Sequence, residues 1–337
     1  MKRLRYTLLV AGLALLVYSV ADAGNSLSKV GTAGAQFLKL GVGARYTAMG
    51  EASVASVDDG YALYWNPAAM GGLSKAHLEF TNTSWIENVT LNHIAYVSPT
   101  RFGSFGISAT VLSSGDMEIT TIDQPDGTGR WFSATSYALT VGYARQMTDF
   151  FAFGMNVKYV AERISEERAS GLAFDFGTML RPGYRNLRIG MNISNLGPQL
   201  KFSGTELDFR YNPSPDNVNN DQAKGQLSVD SYELPLVFRI GAAYDLQYSR
   251  NTRVTFAVEA HDPSDNYQQG ALGTELAFYD RFFVRGGYKI NYEEEDFTFG
   301  AGLSMKIWQH TDLDVNYAWA DFGRLSSVQR ISIGLRF

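Results

Sequence analysis

Four histidines, His77, His93, His261 and His310, come first when the chain is searched for chemistry, because imidazole is the usual general base and metal ligand near neutral pH. They lie far apart on different predicted strands and loops, and no HExxH or other ligand spacing joins them. The sequence has no cysteine, which excludes thiolate nucleophiles, thiolate metal sites and disulfides. No G-x-S-x-G elbow occurs. "GVGAR" (Gly41 to Arg45) is glycine-rich, yet it lacks the Gly-Lys-Ser/Thr ending and the preceding strand of a phosphate-cradling loop. The acidic stretches "HDPSDN" (261–266) and "NYEEED" (291–296) could attract divalent cations or ions that bridge lipopolysaccharide, but as loop sequences they read first as solvated. These residues predict no catalytic constellation, no cofactor and no metal site, and therefore no enzyme.

The elements that carry these residues explain the scatter. From Lys75 onward the hydrophobic period is two almost everywhere. "LRIGMNIS" sets Leu187, Ile189, Met191 and Ile193 against Arg188, Gly190, Asn192 and Ser194, and "FAFGMNVKYV" repeats the pattern. Such alternation marks strands with one apolar face. Fourteen strands are predicted, near 75–85, 89–99, 103–114, 133–146, 150–164, 169–181, 187–196, 233–247, 251–261, 267–279, 281–291, 296–308, 310–321 and 325–337. Short connections such as "PTRF", "QMTD" and "YDR" alternate with longer ones, notably 113–132 and 196–232. An even number of long strands, with short turns at one end and longer loops at the other, is the plan of an outer-membrane β-barrel. Both termini are then expected on the periplasmic side.

The last eight residues, "RISIGLRF", keep the alternation to the final residue, with Ile331, Ile333, Leu335 and Phe337 on one face. A barrel needs its last strand to pair with its first, because unpaired backbone groups in hydrocarbon cost several kcal/mol each. Phe151, Tyr159, Tyr244, Tyr288 and Trp319 lie toward strand ends, where interfacial girdles form. Aromatics make up 13% of the chain, which favours strands, and a net charge of −5 gives no basic surface, so nucleic acid is not an expected partner.

At the N-terminus, "MKRLR", an apolar run from Tyr6 to Val20 and "ADA" (Ala21 to Ala23) form a secretory signal over residues 1–23, with removal expected after Ala23. The run is shorter than the ~20 residues a membrane helix needs. Residues 24–74 lack the period-two pattern and are expected to form a plug, or hatch, in the bore, with 75–337 as the barrel. A fourteen-strand barrel lies between the eight strands that side chains can fill and the sixteen to eighteen that leave a water channel, and without a plug it would leak. The predicted inward face is rich in small residues, including Gly106, Gly142, Gly154, Gly177, Gly190, Gly241, Gly287, Gly300, Gly302 and Gly334. Glycine in a strand marks either curvature or close approach of another backbone.

The hatch sequence "FLKLGVGARYTAMGEASVASVDDGYALYWNPAAM" carries Gly41, Gly43, Ala44, Arg45, Met49, Gly50, Asp58, Asp59 and the run Tyr64, Trp65, Asn66, Pro67, Ala68. Over residues 36 to 73 this resembles the PorV/PorQ group within the FadL-like outer-membrane barrels. That resemblance implies fourteen strands and an N-terminal hatch with an Asn-Pro-Ala turn. Asn before Pro is held out of the α region, so "WNPAAM" can end the hatch and aim the chain into the first strand. Arg45, Asp58 and Asp59 are expected in the lumen opposite inward charges such as Lys158, Arg188, Arg239, Glu259, Arg285, Lys289, Asp312 and Asp314. Mixed signs favour ion-paired anchoring over a field that selects one ion.

The resemblance also implies a function: a non-enzymatic component of type IX protein secretion. It would receive cargo through a C-terminal sorting domain and associate with the translocon and the attachment complex. Its terminal strand resembles the signal read by the barrel assembly machinery, and lipids and lipopolysaccharide would surround it. The outer loops are the expected contact surfaces, with Leu200, Phe202, Leu207, Phe209 and Tyr211 as a candidate apolar patch or, equally, loop packing. The alternative is a FadL-like transporter of hydrophobic small molecules such as long-chain fatty acids, which would need an apolar pocket in the bore. The polar, glycine-rich inward face argues against it.

Overall fold

The computed structural model describes residues 30–184, 186–211 and 223–337; the expected signal segment lies outside them. The strands run β1 His77–Ser84, β2 Thr90–Thr100, β3 Gly103–Glu118, β4 Trp131–Thr148, β5 Phe151–Ile164, β6 Glu167–Leu180, β7 Leu187–Leu196, β8 Asp208–Tyr211, β9 Ala223–Gln226, β10 Val237–Ser249, β11 Thr252–Pro263, β12 Gln269–Phe278, β13 Phe282–Ile290, β14 Phe297–Lys306, β15 Asp312–Asp321 and β16 Ser327–Arg336. All but β8 and β9 form one closed antiparallel barrel of fourteen strands. No helix among the described residues is long and apolar enough to cross a membrane.

The barrel closes through the chain's end. β1 pairs with β16 from His77↔Arg336 to Ser84↔Gln329, and the backbones of Ala76 and Phe337 exchange hydrogen bonds of 2.9 and 3.0 Å just beyond. This pairing is why the apolar alternation cannot stop short of Phe337: Ile331, Ile333 and Phe337 face outward, while Arg330, Ser332 and Gly334 face the bore. The outward face continues around the wall with Phe153, Met155, Val157 and Tyr159 on β5. The expected girdle residues lie on it too, Trp319 stacked on Phe299 at 6.2 Å and Tyr288 tilted against Phe297 at 5.0 Å.

Two departures from the sequence reading have local causes. β3 and β4 run further into the 113–132 connection than the alternation predicts, because a register shift between Ser113 and Asp116, with Gly115 at φ 72°, switches the faces. The long connection after β7 contains the small sheet β8–β9, whose four-residue strands are too short to show a period.

Most of residues 35–70 are buried within the cylinder. Their regular pieces are short: helices α1 (Ala44–Thr47) and α2 (Ala62–Trp65) and 3-10 turns at Gln36–Lys39 and Pro67–Gly72. The first described residues are at the long-loop end, where Gly34 N–H donates to Glu233 O (3.0 Å) and Ala35 N–H to Glu162 Oε2 (3.2 Å). The C-terminal end is on the short-turn side, as expected, and the N-terminal end lies outside the described residues. A hatch about fifty residues long doubles back within the bore and leaves it at the turn end through Pro67–Gly72. Leu200, Leu234, Phe202 and Tyr232 of the long connection pack on Ala35, Phe37 and Leu38. The candidate apolar patch thus divides: Leu200 and Phe202 pack on the hatch, while Phe209 and Tyr211 stay exposed on β8.

Candidate functional site

The hatch sits in the bore because the wall has been cleared for it. Several inward glycines meet hatch backbone where any other residue would place a side chain. A Cβ on Gly154 or Gly177 would overlap the Asn66–Ala68 turn, and one on Gly190 would overlap Val54. Gly273 and Gly287 face the Met49–Gly50 backbone in the same way, and Gly300 faces the Ala48 methyl group. Of the two readings of wall glycine, close approach is the one realised at these positions. Elsewhere the cause differs: at Gly302 and Gly334 the space is taken by wall side chains, Asn316 with Arg285 and Glu79.

Polar wall residues then grip the backbone that the glycines admit. Asn156 Nδ2 donates to Leu63 O (2.7 Å) and Asn192 Nδ2 to Trp65 O (3.0 Å). Each asparagine is two residues beyond a hatch-facing glycine on the same inward face, within the sequence Gly-Met-Asn on β5 and again on β7. Glu259 Oε2 accepts the Ser53 and Val54 N–H groups at 2.6 and 2.7 Å. Neither the grip nor its repeated Gly-Met-Asn signal emerged from the sequence reading, and Glu259 emerged there only as an inward charge.

The motif residues occupy distinct places in this arrangement. Asn66 is fully buried and extended (φ −159°, ψ 100°), as its following proline demands. Its Oδ1 accepts from Ala68 N–H (3.1 Å), and its Nδ2 donates to Val54 O (2.8 Å) and to Thr178 O on the wall (3.0 Å). Pro67 opens the 3-10 turn and Ala68 is fully buried. Gly43 has φ 81°, a left-handed conformation that favours glycine, and faces the Tyr61 ring; Gly41 lies against the Glu51 carboxylate. Ile333, Leu335 and Phe337 are on the opposite, outward surface of the wall and do not join the site.

Arg45, Asp58 and Asp59 come together at the turn end, as a hatch-internal cluster tied to the wall. Arg45 pairs with Asp58, lies 3.7 Å from Asp59, and reaches Glu275 on β12 through Nε (3.0 Å) and Nη2 (3.3 Å). Glu275 also holds Arg285 at 2.7 Å. Other struts join Lys289 to Glu51 (3.1 Å) and Lys39 to Asp265 (2.8 Å). Part of the acidic loops has a structural role: Asp265 anchors the hatch, Glu295 pairs with Lys289, and Glu294 pairs with Arg324. Among the described residues no group of three or more His, Cys, Asp or Glu is placed to hold a metal ion.

Two cavities flank the packed middle. One of about 430 Å³ opens at the turn end beside Arg45, Asp58, Asp59, Arg253 and Arg285. The other, about 400 Å³, opens at the loop end over Gly41, Glu51, Arg239, His261 and Lys289. A column connects them: the Arg45 guanidinium over Tyr46 (5.4 Å), Tyr46 against Trp65 (6.4 Å), and the Arg239 guanidinium over Trp65 (5.3 Å). Tyr46 and Trp65 are wholly buried.

Asp59 gives this seat a pH dependence. Burial pushes its carboxyl up to about 6, against the pull of Arg45, with the Asp58 charge adding to the rise. An unfolded aspartate titrates near ~3.9, so the seated hatch binds more protons than the released one between those values. The stabilisation is complete below ~4 and is lost as pH rises through about 6. Asp59→Asn is expected to remove this loss. The variant's advantage over wild type in slow hydrogen exchange of hatch amides should grow by roughly tenfold or more from pH 4 to 7. A constant ratio would show that Asp59 stays ionised throughout.

A family model described as "Type IX secretion system protein PorV" matches residues 23–219. Among solved structures the chain is similar to the Pseudomonas putida toluene transporter TodX, at 12% identity, covering 88% of this chain and 97% of that one, with a TM-score of 0.56. The Ralstonia pickettii toluene transporter TbuX follows at 14% identity, 88% and 97% coverage and a TM-score of 0.55. A Pseudomonas aeruginosa FadL homologue follows at 10% identity, 88% and 98% coverage and a TM-score of 0.54. At these identities the likeness is one of fold. No curated protein sequence matches the chain.

Proposed function

The chain belongs to the PorV family, and we propose that it serves type IX secretion as a non-enzymatic outer-membrane barrel that receives cargo bearing C-terminal sorting domains. The observation that carries this reading is the family match itself, because residues 23–219 include the hatch and the first seven barrel strands. The bore supports it. A hatch fixed by charged struts, with cavities floored by Arg45, Arg239, Lys289 and their acidic partners, suits an anchoring platform better than a passage for apolar molecules. Transport of long-chain fatty acids is correspondingly disfavoured, and the toluene transporters contribute a fold only.

In this reading the signal segment 1–23 is removed on export, the turn end faces the periplasm and the loop end faces outward in a Gram-negative outer membrane. The translocon, the attachment complex and the cargo meet the loop end, and the barrel assembly machinery reads Ile333, Leu335 and Phe337. Deletion of the gene is expected to leave sorting-domain proteins inside the cell envelope, lowering their surface display by at least about tenfold, with fatty acid uptake unchanged; quantitative surface labelling and an uptake assay check both. Lost uptake with intact display would reverse the assignment.

A further inference from the structure

The six short turns repeat one pairing of residue types. They join β2 to β3, β4 to β5, β6 to β7, β10 to β11, β12 to β13 and β14 to β15, at the end where the hatch leaves the bore. Phe102, Phe150, Tyr248, Tyr279 and Trp308 lie in five of them and are between 55% and 79% exposed. Each has a cation beside it. The Arg101 guanidinium lies over the Phe102 ring at 4.4 Å. Arg250 and Arg281 follow Tyr248 and Tyr279 by two residues, and Lys306 precedes Trp308 by two. Arg181 N–H donates to Phe150 O (2.7 Å), and Ser304 N–H donates to Arg281 O (2.8 Å), which sets Arg281 beside the strand that leads to Trp308. Arg101, Arg181, Arg250, Arg281 and Lys306 make no side-chain hydrogen bond or ion pair among the described residues. The turns contain two acids, Asp149 and Asp280, and Asp280 faces Arg253 at 3.6 Å. The opposite end has the reverse balance: acids outnumber cations in its loops, with Glu293 to Asp296 in one run. Soluble surfaces intersperse the two signs; this barrel separates them.

We propose that the turn-end rim binds the phosphate groups of anionic phospholipids in the leaflet it borders, with Arg101, Arg181, Arg250, Arg281 and Lys306 as the headgroup contacts. Aromatic side chains settle at headgroup level, so a cation within two residues of one is held at the depth of the phosphates. A guanidinium matches two phosphate oxygens at once, and a cation at an anionic lipid surface is attracted whatever its exact geometry. Because these cations have no protein acceptor, no ion pair must be broken for a headgroup to bind. The acidic loop end repels the same lipids, so the charge separation also favours one orientation of the barrel in an asymmetric membrane. The proposal needs a membrane-spanning barrel and stands whether or not the chain serves secretion.

The test reads Trp308 in the full mature barrel, reconstituted in vesicles of phosphatidylcholine with one fixed fraction of phosphatidylglycerol. Bromine, which quenches tryptophan on contact, is carried by the phosphatidylglycerol in one series and by the phosphatidylcholine in the other. The quenching that Trp308→Phe removes belongs to the rim. Per mole of bromolipid, phosphatidylglycerol should quench Trp308 at least about threefold more strongly than phosphatidylcholine. Arg281→Gln/Lys306→Gln should bring that ratio close to one while the barrel keeps its heat-modifiable gel migration. Arg130→Gln/Lys201→Gln removes the same charge from the loop end and should leave the ratio in place. If the rim variant does not fold, sodium chloride at about 1 M, where the Debye length is about 3 Å, should collapse the wild-type ratio instead. A wild-type ratio of one overturns the lipid site and leaves the rim to an acidic protein. A ratio that survives both Arg281→Gln/Lys306→Gln and high salt, or falls equally in the loop-end variant, also overturns it. Loss of the ratio on adding inorganic phosphate at constant ionic strength would make the rim a free-phosphate site and overturn the lipid assignment.

Discussion

Glu259→Ala is expected to release the hatch from the wall without opening the barrel. The substitution removes the acceptor of two buried amides, Ser53 N–H and Val54 N–H, and takes from Arg239 and His261 their nearest carboxylate. Breaking such a buried arrangement from one side typically costs about 3–5 kcal/mol, because what remains is uncompensated. At ~1.36 kcal/mol per factor of ten, the released fraction of the hatch should rise by a factor of order 10² to 10³. Hydrogen exchange resolved by segment reads this directly. Amides of residues 42–66 should lose protection by that factor, while strand amides of β5 and β12 keep theirs. Unchanged protection in the hatch would mean that the glycine contacts alone hold it, and equal loss in hatch and strands would mean that the two fold as one unit.

The strands were legible because a half-buried strand writes its environment into alternate residues. "RISIGLRF" announces both its lipid face and its closing role, and the structure places Ile331, Ile333 and Phe337 as that pattern predicts. Where the backbone slips, as at Gly115, alternation breaks and the continuation of β3 is hidden. The inward glycines were legible as a class, and their cause became clear only when Val54, Met49 and the Asn66–Ala68 turn were seen against them. Pairing was illegible. Arg45 and Glu275 are 230 positions apart, as are Lys39 and Asp265 to within a few residues, and nothing local in either member names the other. The course of the hatch was illegible for a related reason: a segment with four-residue helices has no period to reveal its direction. One signal was available and unused, the Gly-Met-Asn on β5 and β7, in which glycine makes room and asparagine two residues on grips what enters.

The second large effect concerns those glycines. Gly154 faces the backbone of Pro67 and Ala68, and Gly190 faces that of Val54, so neither contact can be relieved by a side-chain rotation. Overpacking at one such site typically costs about 1–3 kcal/mol. Gly154→Leu combined with Gly190→Leu acts on two parts of the hatch that Asn66 ties together, so the strain cannot be shed by moving one of them. The wall itself tolerates leucine, since inward positions of a strand accept it sterically once the bore is empty. The double variant should therefore keep a closed barrel and lose the seated hatch. Fourteen strands without a plug leave a bore between a filled eight-strand barrel and an aqueous porin.

Single-channel recording in planar bilayers asks most directly whether the bore is shut by a hatch seated on wall glycines. Wild-type protein is expected to be silent or nearly so, and the Gly154→Leu/Gly190→Leu variant to carry a steady ion current on the order of tenfold greater or more. Wild-type protein that conducts steadily, or a double variant that stays silent although its hatch has become accessible to protease, would contradict a lumen closed in this way.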